Sequence, residues 1–314
     1  MTGKPDLGAL FGADEVDTFF GLEACRDLDQ LSAPIALIGA PGATPYASVG
    51  AYCRNAPEAL RRSAAALAAN IDRHNFDLGG PVFPDPNARA VDCGDLPFDE
   101  GDNAKNRETI RDATARILSK GAVPVVIGGD DSIPIPMLHG FSGGGPYTIL
   151  QIDAHIDWRE SHMGENLGLS STMRRASEMA HIERIIQVGA RGIGSAHSDD
   201  VQTALDWGAE IVTAEAVHRE GVAPILSLIP EGSDVIVCLD VDALDPSIVP
   251  GVIGRTPGGL SYYQVLDLVR GASTRGRIAG MDVVEYVPEV DVDGLGALVV
   301  SRLLAAILGL LARQ

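Results

Sequence analysis

Short, nearly continuous apolar runs separated by helical patterns recur along this chain and restrict what it can fold into. The runs lie at residues 34–39, 90–95, 123–127, 147–150, 185–189, 210–213, 234–239 and 277–281. Each has the length of a buried strand. Between them, Leu60, Ala64 and Leu67 recur at helical spacing behind an expected cap at Asn55, with Pro57 in the first turn. Ile110, Ala113 and Ile117 mark a second helix over 103–120, ended by Gly121, and another helix begins at about Thr172. Alternation of this kind predicts a parallel sheet with helices on both faces, right-handed crossovers, and a site at the carboxyl ends of the strands. No internal repeat, low-complexity tract or linker interrupts it. The expectation is one α/β domain over 33–314, preceded by an N-terminal arm (1–32) with Phe19 and Phe20 as anchors onto the body or a neighbouring subunit.

Composition narrows the partners. With 46% hydrophobic residues, 314 positions suffice for a sizeable core, and a formal charge of −19 argues against nucleic acid or an anionic membrane surface. Cys25, Cys53, Cys93 and Cys238 form no C-x-x-C pair, which points to a reducing, cytoplasmic setting. No secretory signal is visible behind Lys4 and Pro5. The apolar stretch 298–311 is interrupted by Ser301 and Arg302, too short to span a bilayer, and is expected to be a packed terminal helix.

Three of the apolar runs lead into acidic clusters. After 147–150 comes Ile152-Asp153-Ala154-His155-Ile156-Asp157, where strand alternation puts Asp153, His155 and Asp157 on one face if the extended backbone persists. After 234–239 comes Asp240-Val241-Asp242-Ala243-Leu244-Asp245-Pro246, with Asp240 and Asp242 paired in the same way and Asp245 shaping the turn. The third is Gly128-Gly129-Asp130-Asp131-Ser132, equally readable as a plain turn or as a ligand loop. Converging carboxylates are costly to bury unless a cation neutralises them. Oxygen donors with few imidazoles and no thiolates suit Mn, Mg or Ca. Ligands in this number fit two divalent ions with a bridging water, whose acidity they raise, and that is a hydrolase design.

Taken in order, these motifs resemble the ureohydrolases, the family of arginase, agmatinase, guanidinobutyrase, proclavaminate amidinohydrolase and formimidoylglutamase. Asp153-Ala154-His155-Ile156-Asp157 is similar to the family's D-A-H-x-D, and residues 240–246 to its D-x-D-x-x-D-P. Pro257-Gly258-Gly259-Leu260 matches P-G-G-L, residues 282–288 match D-V-V-E-x-x-P, and residues 55–61 resemble the G-P-x-A-I-R helix start. The resemblance runs from about Ile35 to the C-terminus. It implies a single three-layer α/β/α domain with a mostly parallel, roughly eight-stranded sheet. It further implies a two-manganese site, release of urea from guanidino compounds, and trimers or hexamers. By position, Asp153, His155, Asp157, Asp240 and Asp242 would hold the metals, and Glu285 would receive the guanidinium.

The chain departs from the pattern twice. Asp131 stands where the family's G-G-D-H-S has a metal-binding histidine. Either Asp131 is a sixth ligand, or it turns away and one ion is weakly held or lost. The histidine that many members carry after D-A-H-x-D is also missing from residues 166–171; His162 lies nearby, and Ser170, Ser171 or water are the other candidates for moving a proton. The candidate catalytic set is therefore Glu285, Asp157 and His162. The expected activity is metal-dependent hydrolysis of a small guanidino compound, agmatine or a guanidino acid, with the loops 158–171 and 251–257 selecting the tail. In those loops, Arg159 and Arg255 are either receptors for a carboxylate tail or ordinary surface arginines. The alternatives are a non-hydrolytic paralogue that binds metal or a guanidino ligand, and a single-zinc deacylase on a related fold.

Overall fold

The computed structural model describes residues 16–314. Its strands are β1 (Glu23–Ala24), β2 (Ile35–Ala40), β3 (Ala90–Asp95), β4 (Val123–Gly128), β5 (Tyr147–Ile152), β6 (Ile182–Ala190), β7 (Glu210–Thr213), β8 (Asp234–Asp240) and β9 (Arg277–Val284). They form one nine-stranded sheet in the order β1-β3-β2-β4-β9-β8-β5-β6-β7, with every neighbouring pair parallel. The strand beyond the sequence expectation is β1, whose two exposed residues carry no apolar signal.

Alternation along each strand divides the core into two layers. On β8, Val235, Val237 and Leu239 face helices Ala56–Ala68, Tyr262–Arg275 and Leu295–Leu311. Ile236 and Cys238 face the opposite layer, made by Asn103–Ser119, Pro134–Gly140 and Ser198–Trp207. Helix Leu295–Leu311 is buried along most of its length, as the terminal apolar stretch predicts. No helix among the described residues is long and apolar enough to cross a membrane. Phe19 and Phe20 are both buried in the first layer, and Cys25 N donates to Asp92 O at 2.9 Å, so residues 16–32 are built onto the sheet edge. The rest of the expected arm, 1–15, lies outside the described residues.

Asn55 does not cap helix Ala56–Ala68 through its side chain. Its backbone is already helical (φ −88°, ψ 0°), and its amide donates to Glu289 at 2.6 Å instead. The helix from Asn103 is capped as its sequence allows, by Asp102 accepting from Lys105 N at 2.9 Å.

For function, the decisive feature is the middle of the sheet. Strands β4 and β5 come early in the chain and β8 and β9 late, yet the later pair lies between the earlier two, and all four point the same way. Their carboxyl ends open at the place where the winding of the chain reverses, the usual ligand position in open α/β sheets. The loops following these four strands carry the three acidic clusters and Glu285.

Candidate metal centre

Strand β5 stops at Ile152, so Asp153, His155 and Asp157 do not converge by simple alternation. Asp153 Oδ1 accepts from His155 N at 2.6 Å, turning the chain, and Asp157 sits in the left-handed region at φ 42°. The same device ends β8, where Asp240 Oδ1 accepts from Asp242 N at 2.7 Å. The Asx turn and the cluster of potential ligands are thus one structure: each turn aims its aspartates into a common volume.

Two groups of ligand atoms result, Asp153 with His155 and Asp242, and Asp131 with Asp153 and Asp240. Within each group the atoms lie within 4.8 Å of one another, and Asp153 belongs to both. Asp157 is tied in through Gln151, whose Nε2 donates to Asp153 Oδ2 at 2.7 Å and Asp157 Oδ2 at 2.9 Å. Gln187 orients Gln151 from behind, donating to its Oε1 at 2.5 Å. Asp242 accepts from Ala154 N at 3.1 Å and lies 3.2 Å from His155 Nδ1.

The glycine loop separates its two aspartates. Asp130 shapes the turn, accepting from Ser132 N at 3.1 Å and from the Ser132 hydroxyl. Asp131 points into the cluster, and its Oδ2 is buried without a hydrogen-bond partner. Gly129 permits the fold here, since a Cβ would come 2.5 Å from Pro41 O.

Electrostatics describe a site that wants cations. Burial first, and then repulsion from neighbouring carboxylates, pushes Asp131, Asp157 and Asp240 well above the usual carboxylate range, and Asp242 in the same direction. Burial opposes the charge on His155, but Asp153 and Asp242 override it and raise its pKa to about 12. Burial likewise works to raise Asp153, yet its bond to His155 and that charge hold it below the ordinary value. Buried oxygen donors, one imidazole and an orphaned carboxylate oxygen are a set that a hard divalent ion fits.

Glu285 follows β9 at φ 69°, a second non-glycine residue in the left-handed region. Its Oε1 accepts from Asp131 N at 2.9 Å, which places it at the edge of the cluster. Burial, reinforced by Asp130, raises its pKa to about 8 against the opposing effect of the Asp131 N–H. Tyr52 donates to both carboxylate oxygens, at 2.8 and 2.9 Å.

Other expected residues are spent elsewhere. His162 is bonded to Arg159 at 2.9 Å and sits edge-on to Tyr46, and no bond joins it to the aspartates. The Ser170 hydroxyl accepts from Tyr46 at 3.1 Å, while that of Ser171 is buried without a partner. Arg159 donates to Ser195 O, and Arg255 to Pro250 O and Val290 O, both at 2.6 Å. Backbone carbonyls thus engage the two arginines considered as carboxylate receptors. Loop 251–257 does reach the site, since a Cβ on Gly254 would lie 3.6 Å from both Asp242 Oδ2 and His155 Cε1.

Three participants escape the sequence reading. Gln151 had a signal, being a polar residue within a buried strand two positions before Asp153. Arg191, which braces Asp242 O at 2.7 Å and Thr256 O at 2.9 Å, had none. Nor did Tyr52, in a loop of small residues ahead of the first helix.

A family model described as the arginase family matches residues 33–309. The chain is 27% identical over 319 residues to guanidinobutyrase of Pseudomonas aeruginosa, covering 96% of this chain and 97% of that protein. It is 31% identical over 293 residues to the mitochondrial arginase of Medicago truncatula, covering 90% and 83%. Among solved structures, proclavaminate amidino hydrolase from Streptomyces clavuligerus matches with a TM-score of 0.79 and 27% identity, covering 96% and 98%.

Proposed function

The chain belongs to the arginase family, and on that premise we propose that it hydrolyses a small guanidino compound to urea and an amine at a two-manganese site. The observation that carries this reading is the pair of ligand groups sharing Asp153, with Glu285 at their edge. Asp153, His155 and Asp242 would hold one ion and Asp131, Asp153 and Asp240 the other, with Asp157 beside Asp153. When bound, such ions supply Lewis acidity that makes water a nucleophile near neutral pH. The protein's part is positional. Glu285 receives the planar guanidinium by charge-assisted hydrogen bonds and presents its carbon to the ions. Gln151 keeps Asp153 and Asp157 in place, and Arg191 holds Asp242 from behind. Proton delivery to the leaving amine falls to Asp157 or solvent, because His162 is bonded to Arg159.

Five aspartates carry one more negative charge than two divalent ions neutralise, and Asp131 is the origin of the excess. We therefore expect tight metal binding and a pH–rate profile whose rising limb lies at higher pH than a histidine at 131 would give. The substrate tail is left to loops 158–171 and 251–257, and the engagement of Arg159 and Arg255 by carbonyls favours agmatine-like over acidic tails. A cytoplasmic homo-oligomer, trimeric or hexameric, completes the proposal; the four unpaired cysteines support the reducing location.

The test is urea release across agmatine, 4-guanidinobutyrate, arginine and methylguanidine after manganese loading, with metal counted per chain. Glu285→Gln is expected to keep both ions and to lose turnover by a factor of about 100 or more, as for loss of a group that positions the reacting centre. No urea from any compound, with Glu285→Gln binding them as wild type does, would overturn the reading.

A further inference from the structure

We propose that Tyr52 is a gate over the guanidinium acceptor, so that a substrate must displace its hydroxyl from Glu285 before it can bind productively; this rests on the guanidino reading above. The geometry is specific. Tyr52 Oη lies 2.8 Å from one oxygen of Glu285 and 2.9 Å from the other. Near-equal distances put the hydroxyl on the bisector of the carboxylate, where a guanidinium must come to make two parallel N–H···O bonds. The two cannot occupy that position together. The hydroxyl brings a single proton to share between two acceptors, whereas a guanidinium brings a fork of two donors and a positive charge. Displacement by the cation is therefore favourable, and displacement by water is not.

The loop that carries Tyr52 is suited to moving. Residues 47–50 are exposed, between a buried Tyr46 and a buried Cys53. Their backbone bonds stay within the segment: Val49 N and Gly50 N donate to Tyr46 O at 3.0 and 2.9 Å, and Tyr52 N to Gly50 O at 3.0 Å. Gly50 has φ 66° and open space around the position of a Cβ, a natural pivot. Tyr46 is fixed to Ser170 at 3.1 Å and Cys53 is buried, so both ends of the loop stay anchored while the exposed stretch between them shifts. In this arrangement Tyr52, together with the Asp131 N–H on Oε1, holds the Glu285 carboxylate in a ready orientation and covers the side a guanidinium would take. It is a positioning residue that selects for a planar, two-pronged cation.

Removing the hydroxyl while keeping the ring isolates the gate. For Tyr52→Phe in the manganese-loaded enzyme, the expected result is a KM about tenfold lower on the best substrate of the panel, in line with removing one hydrogen bond to a charged group, with the change falling on KM rather than kcat. Calorimetric titration with methylguanidinium should show the same tightening. In wild type, hydrogen exchange of residues 47–52 should speed up when methylguanidinium saturates the site, a measurement that needs no variant. A Tyr52→Phe enzyme with equal or weaker methylguanidinium binding, or a wild-type loop whose exchange does not respond, overturns the gate and leaves the guanidino reading standing. If wild type, Tyr52→Phe and Glu285→Gln all fail to bind any guanidino compound, the functional reading itself fails and the gate with it.

Discussion

Asp131 decides how the proposed metal site would differ from one with a histidine in that place. Its backbone N–H is bonded to Glu285 at 2.9 Å and its carbonyl accepts from Thr172, so the main chain is pinned on both sides. The side chain points toward Asp153 and Asp240. Asp131→Ala is expected to lower metal content by about one ion per chain, measured by elemental analysis after manganese loading, while the group at His155 stays filled. Asp131→His is expected to keep two ions and to move the rising limb of the pH–rate profile to lower pH, because one negative charge leaves the neighbourhood of the activated water. Two ions and an unchanged profile in Asp131→Ala would reduce Asp131 to a turn residue. At this scale the sequence was legible where a residue type dictates its own use. Asp153, Asp240 and Asp242 at strand ends and Glu285 after β9 stood out as candidates because buried carboxylates have few other roles, and the structure brings them to one place. Residue type alone left the Asp130-Asp131 loop readable as turn or ligand, and only the resemblance singled out Asp131; in the structure Asp130 accepts from Ser132 N while Asp131 lies beside Asp153 and Asp240. Tyr52 was invisible because its partner is 233 positions away.

Among the elements, the apolar runs marked every strand but one, although β6 starts earlier than its run, at Ile182, and β9 continues to Val284. The exception, β1, owes its place to a polar anchor. Asp92 on β3 is fully buried and accepts from Phe19 N at 2.9 Å, Gly94 N at 2.7 Å and Arg61 Nε at 2.9 Å, with Arg26 at 3.4 Å. This one carboxylate joins the segment entering the fold, the sheet edge and helix Ala56–Ala68, and no local pattern announces it. Asp92→Ala leaves Phe19 N unpaired and the largely buried Arg61 with Asp95 as its remaining carboxylate at 2.8 Å, a loss of about 2 kcal/mol for hydrogen bonds to a charged group. Urea unfolding should register that loss, while metal content and urea production per folded chain stay at wild-type levels. A change below about 1 kcal/mol would mean that solvent replaces Asp92 easily and that the edge is held by Phe19 and Phe20 alone. The acidic strand ends teach the converse lesson. Alternation put Asp153, His155 and Asp157 on one face, but β5 ends at Ile152 and Asx turns do the aiming.

Considered as a whole, the molecule concentrates acidic groups in its interior, and the consequence is a dependence of stability on pH that metal should reverse. In the metal-free protein, burial raises Asp282 to about 7, and burial with Asp130 raises Glu285 to about 8, while an unfolded carboxylate titrates near ~4. Asp131, Asp157, Asp240 and Asp242 are displaced in the same direction. Between these limits the folded chain holds more protons than the unfolded one, so stability falls as pH rises from about 4 to about 8. His155, raised by Asp153 and Asp242 against burial, adds the same sign above its ordinary value of about 6.5. Asp153 is lowered and has the opposite sign, but only below the ordinary carboxylate value, outside this window. A divalent ion takes the place of those protons and binds the ionised ligands, so its stabilisation should grow over the same interval. Chelator-treated protein is therefore expected to melt at a higher temperature at pH 5.5 than at pH 8, and manganese should raise the melting temperature more at pH 8 than at pH 5.5. Comparing loaded with chelated protein at each pH cancels the contribution of the exposed carboxylates, which the formal charge of −19 makes large. Equal increments at the two pH values would show that metal binding displaces no protons from the cluster. The raised carboxylates would then have to be neutralised by some other means in the folded protein.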